Sequence, residues 1–235
     1  MDQKIRIIGI SGSPRYHGNT STLVRQVLKG AENKGAEIKE FYLSEYDISF
    51  CQGCFTCMKR GSCIINDDVE SIKDEMINAD GIIIGAPTYG LAPNAMMKNF
   101  LDRLGMFSVY TSLLKDKYII GVSSCGRFGA KKTAKQLTSI VDGIWGGGKK
   151  TGILTAKVGF QSVKNDPRIL EKAEKLGERI VKDISSHRSY WYKGLFGKFI
   201  SRVAMRPMMK KNILQHKNSE MKGVYEYLRS KGFLE

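Results

Sequence analysis

Two stretches of the 235-residue chain carry residue types and spacings suited to chemistry. The first is Ser11-Gly-Ser-Pro-Arg-Tyr-His-Gly-Asn-Thr-Ser-Thr22, which lies between an apolar run and a helix-forming stretch. Glycines and small hydroxyl residues let a backbone wrap closely around an anion. The helix starting near Thr20 adds unpaired N–H groups and the positive end of its dipole. This is phosphate chemistry. No Gly-Lys-Ser/Thr closes the loop, so it is not a P-loop, and Gly9 and Gly12 lack the G-x-G-x-x-G spacing of a dinucleotide fingerprint. Without a catalytic lysine and magnesium ligands, the loop suits holding a phosphate rather than transferring one. A plain N-cap draws on the same residue types, but one cap does not need so many of them together with an arginine.

The second stretch is Cys51-Gln-Gly-Cys54-Phe-Thr-Cys57-Met-Lys-Arg-Gly-Ser-Cys63, four of the five cysteines in the spacing C-x2-C-x2-C-x5-C. Cysteines this close could relieve little chain entropy as disulfides, which are in any case rare in reducing compartments. Structural zinc usually joins two separated C-x-x-C knuckles. One compact run instead resembles ferredoxin-type thiolate ligation of a [4Fe–4S] cluster. It departs from the bacterial ferredoxin run in having five residues rather than three before the last cysteine, and Ile64 rather than proline after it. Lys59 and Arg60 inside the run favour a net-negative thiolate site. Zinc, or cysteines without any cluster, stay open as alternatives. Cys125 stands apart and reads as a small buried or loop residue.

These stretches need elements to position them. Strand-like runs recur at 4–10, 37–43, 81–86, 118–123 and 151–160, alternating with helix-like segments at 20–34, 67–79, 94–107, 130–141 and 166–184. The first and third runs are almost continuously apolar, as parallel strands covered by helices on both faces are. The alternation predicts an α/β fold with a doubly wound, five-stranded parallel sheet. Ligands in such sheets bind at the carboxyl ends of the strands where the strand order reverses. Asp67 and Asp68 read as caps of the second helix, with Glu70 stabilising its first turn. Asp102 and Arg103 read as a structural pair. Of His17, His187 and His216, only His17 lies in a loop that could touch a ligand.

Gly-Ser-Pro-Arg-x-x-Gly-Asn-Thr after the first strand resembles the flavodoxin-like NAD(P)H-dependent FMN reductases. So do Gly85-Ala-Pro-Thr-Tyr-Gly90 after the third strand and Lys98-Asn-Phe-Leu-Asp-Arg103 in the next helix. The likeness spans roughly residues 4–160. It implies that Ser11, Ser13, Arg15, Asn19, Thr20 and Ser21 hold the FMN phosphate, and that Pro87, Thr88, Tyr89 and Gly90 line the isoalloxazine ring. The loop with Ser123, Ser124, Gly126 and Arg127 would close the ring's other edge, with Arg127 contacting flavin or substrate or standing as a plain surface charge. No side chain is then needed as acid or base, because N5 of the flavin carries the chemistry. The cysteine run after the second strand is similar to that of the iron–sulfur flavoproteins. That likeness implies a [4Fe–4S] cluster on Cys51, Cys54, Cys57 and Cys63, and a homo-oligomer, dimer or tetramer, in which one subunit's cluster lies near another's flavin. It also implies electrons from an acidic ferredoxin-like donor or NAD(P)H, passed to a small acceptor such as a quinone or an oxygen species. Relatives that keep part of the motif act as flavin or quinone reductases without a cluster. An electron-transfer or redox-sensing protein is the reading outside catalysis.

The net charge of +15 is uneven: residues 188–235 hold 11 Lys+Arg against 3 Asp+Glu. We therefore expect a main domain over 1–186 and a basic helical extension over 187–235. A helix over 192–204 would place Tyr192, Phe196, Phe199, Ile200 and Val203 opposite Lys198, Arg202 and Arg206. Packing on the domain or a neighbouring subunit is the first expectation for it. Shaping the substrate pocket with Trp191, Met205, Met208 and Met209 is the second, and peripheral contact with an anionic membrane the third. No helix-turn-helix, zinc-finger or RNA-binding signature supports nucleic-acid binding. No signal-peptide pattern or run of about 20 apolar residues occurs, so a cytoplasmic location is expected.

Overall fold

Ile7 and Ile10 of the first strand and Ile82, Ile83 and Ile84 of the third are wholly inaccessible. Consecutive residues of one strand can all be buried only if both faces of its sheet are covered. The computed structural model describes residues 4–189 and 201–234. In it, β1 (Arg6–Ser11), β2 (Glu37–Tyr42), β3 (Gly81–Tyr89), β5 (Tyr118–Cys125) and β6 (Lys149–Lys157) form a parallel sheet in the order β2-β1-β3-β5-β6. The two-residue strand β4 (Ala92–Pro93) folds back antiparallel on β3. This is the flavodoxin-like order, with its topological switch between β1 and β3.

Helices α1 (Asn19–Glu32) and α6 (Pro167–Ser185) cover one face, packing Leu23, Val27, Leu28 and Ile180 on Ile7, Ile83, Ile120 and Leu154. On the other face lie α3 (Val69–Asn78), α4 (Ala95–Thr111) and α5 (Ala130–Thr138). Ile72, Met76, Phe100 and Leu137 meet Ile8, Ile10, Ile82, Ile84 and Ile119 there. The helices and strands expected over the first 186 residues are all present, with shifted ends. Gly105 breaks α4 at φ 55°, and beyond it Phe107 joins a third apolar cluster.

That third cluster is built by the tail. Between β2 and α3, the short α2 (Thr56–Arg60) carries Met58 and the half-buried Cys57. α7 (Arg206–Gln215) joins the same cluster with Met209 and Ile213, and α8 (Lys222–Ser230) packs on α2 with Val224 and Leu228. A Cβ on Gly223 would stand 2.3 Å from the Gly61 nitrogen, so α8 rests directly on the end of α2. The described part of the extension thus docks on its own domain, beside the cysteine run. Most of the helix expected over 192–204 lies outside the described residues, and Ser201–Met205 forms a π-helical turn. Met209 is buried there, while Met205 and Met208 face solvent. Among the described residues no helix is long and apolar enough to cross a membrane.

The α1–α6 contact depends on two glycines. A Cβ on Gly177 would lie 1.9 Å from the Val27 carbonyl oxygen, and one on Gly30 2.0 Å from that of Glu174. Backbone cannot yield as a flexible side chain can, so Gly177→Ala is expected to cost about 1–3 kcal/mol of stability in urea denaturation.

Candidate functional site

The loop after β1 is held by its own polar groups. The hydroxyls of Ser11 and Ser21 are 2.9 Å apart. Ser21 Oγ also lies 3.0 Å from the Arg15 carbonyl, to which Ser13 Oγ and the Gly18 N–H donate as well. Ser11, Ser13, Thr20 and Ser21 are all buried, while the Arg15 side chain is exposed. Asn19 is committed elsewhere: its Nδ2 donates to the Gln161 carbonyl at 3.0 Å and its Oδ1 accepts from the Val163 N–H at 2.9 Å. It ties the loop after β6 to the start of α1. The N-cap position, Gly18, makes no side-chain hydrogen bond to the helix, and no acid sits in the first turn. The first-turn N–H groups of α1 are thus left for an anion.

The two neighbouring loops are joined by hydroxyls. Thr20 Oγ1 meets Ser124 Oγ at 2.8 Å, linking α1 to β5. Thr88 Oγ1 lies 2.9 Å from both Ser123 Oγ and Thr133 Oγ1, and Ser123 donates to the Ala86 carbonyl. Pro87, Thr88, Ser123 and Ser124 are thereby fixed at the carboxyl ends of β3 and β5. Gly90 and Leu91, both with positive φ, form the two-residue turn between β3 and β4. Tyr89, Leu91 and Phe128 are left exposed around this edge, with Arg127 beside them. A Cβ on Gly129 would press Thr88 and Leu91 at about 3 Å, so this third loop folds against the second.

The cysteine run is anchored at its far end. Arg103 projects from α4 with its side chain fully buried, facing an equally buried Asp67. Its Nη2 donates to Asp67 Oδ1 at 2.9 Å and to Cys63 Sγ at 3.6 Å. Its Nη1 donates to Asp67 Oδ2 and, at 2.8 Å, to the Ser49 carbonyl. Asp67 also accepts from the Ser49 and Val69 N–H groups, and Glu70 accepts from the Cys63 N–H. Burial works against an ionised Asp67, but Arg103 and these N–H groups outweigh it and hold the carboxyl below its ordinary range. Burial pushes the Cys57 thiol up, helped by the nearby Cys63 and Cys54 sulfurs. The Thr56 hydroxyl lowers Cys54. Cys51 and Cys54 are exposed, and among the described residues no three Cys, His, Asp or Glu side chains converge as a ready metal site. The expected Asp102–Arg103 pair is corrected: Asp102 pairs with Lys98 on the helix surface, and Arg103 turns inward to Asp67.

Residues 5–149 match the family model for NADPH-dependent FMN reductases. The chain belongs to that family. An iron–sulfur flavoprotein of Clostridioides difficile is 32% identical over 88% of this chain and 92% of its own length. One of Archaeoglobus fulgidus is 28% identical over 98% of this chain and all of its own. A solved flavone reductase superposes with a TM-score of 0.63 at 20% identity, covering 79% of this chain and 66% of that one, a likeness of fold.

This member of the FMN reductase family is a flavin-dependent oxidoreductase, and the first loop fits FMN on its own geometry. The α1 terminus is uncapped. A Cβ on Gly12 would collide with Met97, so the cradle is closed from below by α4. Asn94, whose place at the start of α4 suggests no more than a cap, is buried under the loop. It donates to the Gly12 carbonyl at 2.7 Å and keeps a buried Oδ1 without a partner. The spacing of Arg103 with Phe100, Leu104 and Phe107 places it on the buried stripe of α4, a signal in the sequence for its inward partner. Cys125 is buried as expected, and His17 and His187 are exposed.

Asp67→Asn leaves the Arg103 cation buried without its counter-charge, an expected loss of about 3–5 kcal/mol at neutral pH. Because the folded carboxyl titrates below its ordinary value, wild type holds this stability above about pH 4 and loses it as pH falls further. Urea denaturation at pH 7 and near pH 3 should show the gap between the two proteins narrowing with acid.

Proposed function

We propose that the protein is an oxidoreductase of the iron–sulfur flavoprotein type, taking electrons from a ferredoxin or NAD(P)H and delivering them to a small acceptor such as a quinone or an oxygen species. One observation carries this reading. The uncapped α1 cradle and a four-thiol run pinned by a buried arginine both follow strands at the same carboxyl edge of the sheet. Bound FMN would interconvert hydride and single-electron chemistry, and a thiolate-held [4Fe–4S] cluster would provide a one-electron port.

The protein's own groups then do the following. Arg15 and the N–H groups of Asn19, Thr20 and Ser21 neutralise and orient the phosphate, with Ser11 and Ser13 shaping the loop. Pro87, Thr88, Tyr89 and Gly90 bound one side of the ring position, and Ser123, Ser124, Gly126 and Arg127 the other. The hydroxyl chain from Thr20 to Ser124 and from Thr88 to Thr133 keeps these edges in place. Cys51, Cys54, Cys57 and Cys63 provide the soft donors that iron–sulfur ligation requires. Arg15, Arg127, Lys131, Lys132 and Lys157 are exposed, and none makes an ion pair with another described residue. That basic rim supports docking of an acidic ferredoxin-like donor. The exposed Tyr89, Leu91, Phe128 and Phe160 support a homo-oligomer.

A second reading is an NAD(P)H-dependent flavin or quinone reductase without a cluster, favoured by the open arrangement of Cys51 and Cys54. Anaerobic purification separates the two. The first predicts flavin together with about four iron and four labile sulfide per chain; flavin without iron or sulfide leaves the second. Arg15→Gln should weaken FMN binding to the apoprotein about tenfold, the worth of a charge-assisted phosphate contact. Riboflavin, which lacks the phosphate, should bind both proteins equally in fluorescence titrations.

A further inference from the structure

The Arg103 guanidinium has five N–H donors. Four of them, on Nη1 and Nη2, account for the Ser49 carbonyl, both Asp67 oxygens and Cys63 Sγ. The fifth, on Nε, is buried without a partner. A protein that needed only an ion pair between α4 and the segment before α3 could leave this side chain nearer water and satisfy every donor. Here the fork is sunk completely, with Nε unsatisfied among the described residues and Nη2 turned to the sulfur.

We infer that Arg103 is a positioning residue for electron transfer, whose Nη2–H···Sγ contact with Cys63 holds this sulfur in place and raises the reduction potential of an iron–sulfur cluster ligated there. The inference rests on the cluster reading proposed above. An N–H donor aimed at a ligand sulfur stabilises the reduced state, which carries one more electron and more negative charge on sulfur. Asp67 neutralises the cation and fixes its plane, so the donor cannot swing away. Two framework pieces meet at this sulfur: α4, which also floors the FMN cradle through Met97, and the Asp67 turn that starts α3. Lysine cannot substitute. Its single ammonium has three donors and no planar fork, so it cannot serve Asp67, Ser49 and Cys63 together.

The test uses full-length protein purified anaerobically, with iron, sulfide and FMN quantified first. Wild-type protein containing FMN but no iron or sulfide overturns the cluster reading and this inference with it. With the cluster present, dithionite titration monitored by EPR should place the Arg103→Lys cluster at a more negative midpoint than wild type. Its FMN midpoint and its iron content should not change. Equal cluster midpoints in the two proteins overturn the inference alone, as does a parallel shift of the flavin. Should Arg103→Lys fail to fold, wild type labelled with 15N-arginine decides. Pulsed EPR of the reduced cluster should reveal coupling to a guanidinium nitrogen, and absence of that coupling overturns the inference.

Discussion

The buried Arg103–Asp67 pair is the interaction on which the arrangement of the cysteine segment depends. An ion pair removed from water costs desolvation of both partners and is retained only where its remaining donors and acceptors are used. Here they are used to gather chain that no sheet or long helix holds. Ser49 before the run, Cys63 at its end and the first turn of α3 all bond to these two side chains. Between the anchored ends, Gly53 and Phe55 adopt positive φ, Cys51 and Cys54 face solvent, and only the short α2 is packed. The segment is rigid where Arg103 and α8 grip it and open where the first two thiols lie.

The flavin edge is organised on a different principle. Polar side chains there pair with one another across elements: Ser11 with Ser21, Thr20 with Ser124, Thr88 with Ser123 and Thr133. Hydroxyls can donate and accept, so such a chain fixes loop positions without leaving charge behind. It fixes the loops after β3 and β5 without burying charge, while the exposed Arg15 and the uncapped α1 terminus make the loop after β1 positive. That division suits a cofactor with one dianionic end and one flat, weakly polar end.

The tail changes the meaning of the overall charge. About half of the excess positive charge lies in the final fifth of the chain, which by composition alone invites a polyanion partner. In the described part of that segment, Met209, Ile213, Val224 and Leu228 share a cluster with Met58, Phe107 and Trp145, and Gly223 lets α8 touch the backbone at Gly61. The described part of the extension is therefore a wall of the cysteine segment, with Lys210, Lys211, Lys217, Lys222, Arg229 and Lys231 on its exposed surface.

Periodicity and composition determined the α/β sheet, its strands and its flanking helices, because near-continuous apolar strands can be buried only between two helical layers. Loop chemistry marked the stretch after β1 and the four-thiol run as the candidate sites, because those residue types at that spacing suit an anion and soft-metal ligation. Tertiary structure alone decided which polar side chain meets which. Asn19 reaches Gln161 and Val163 across more than 140 residues, Arg103 chooses Asp67 over its neighbour Asp102, and Asn94 slips under Gly12. The docking of α8 on α2 belongs to the same class. The reason is physical: a helix or strand is written in local spacing, whereas the partner of a buried polar group is whatever the packed layers bring within about 3 Å of it.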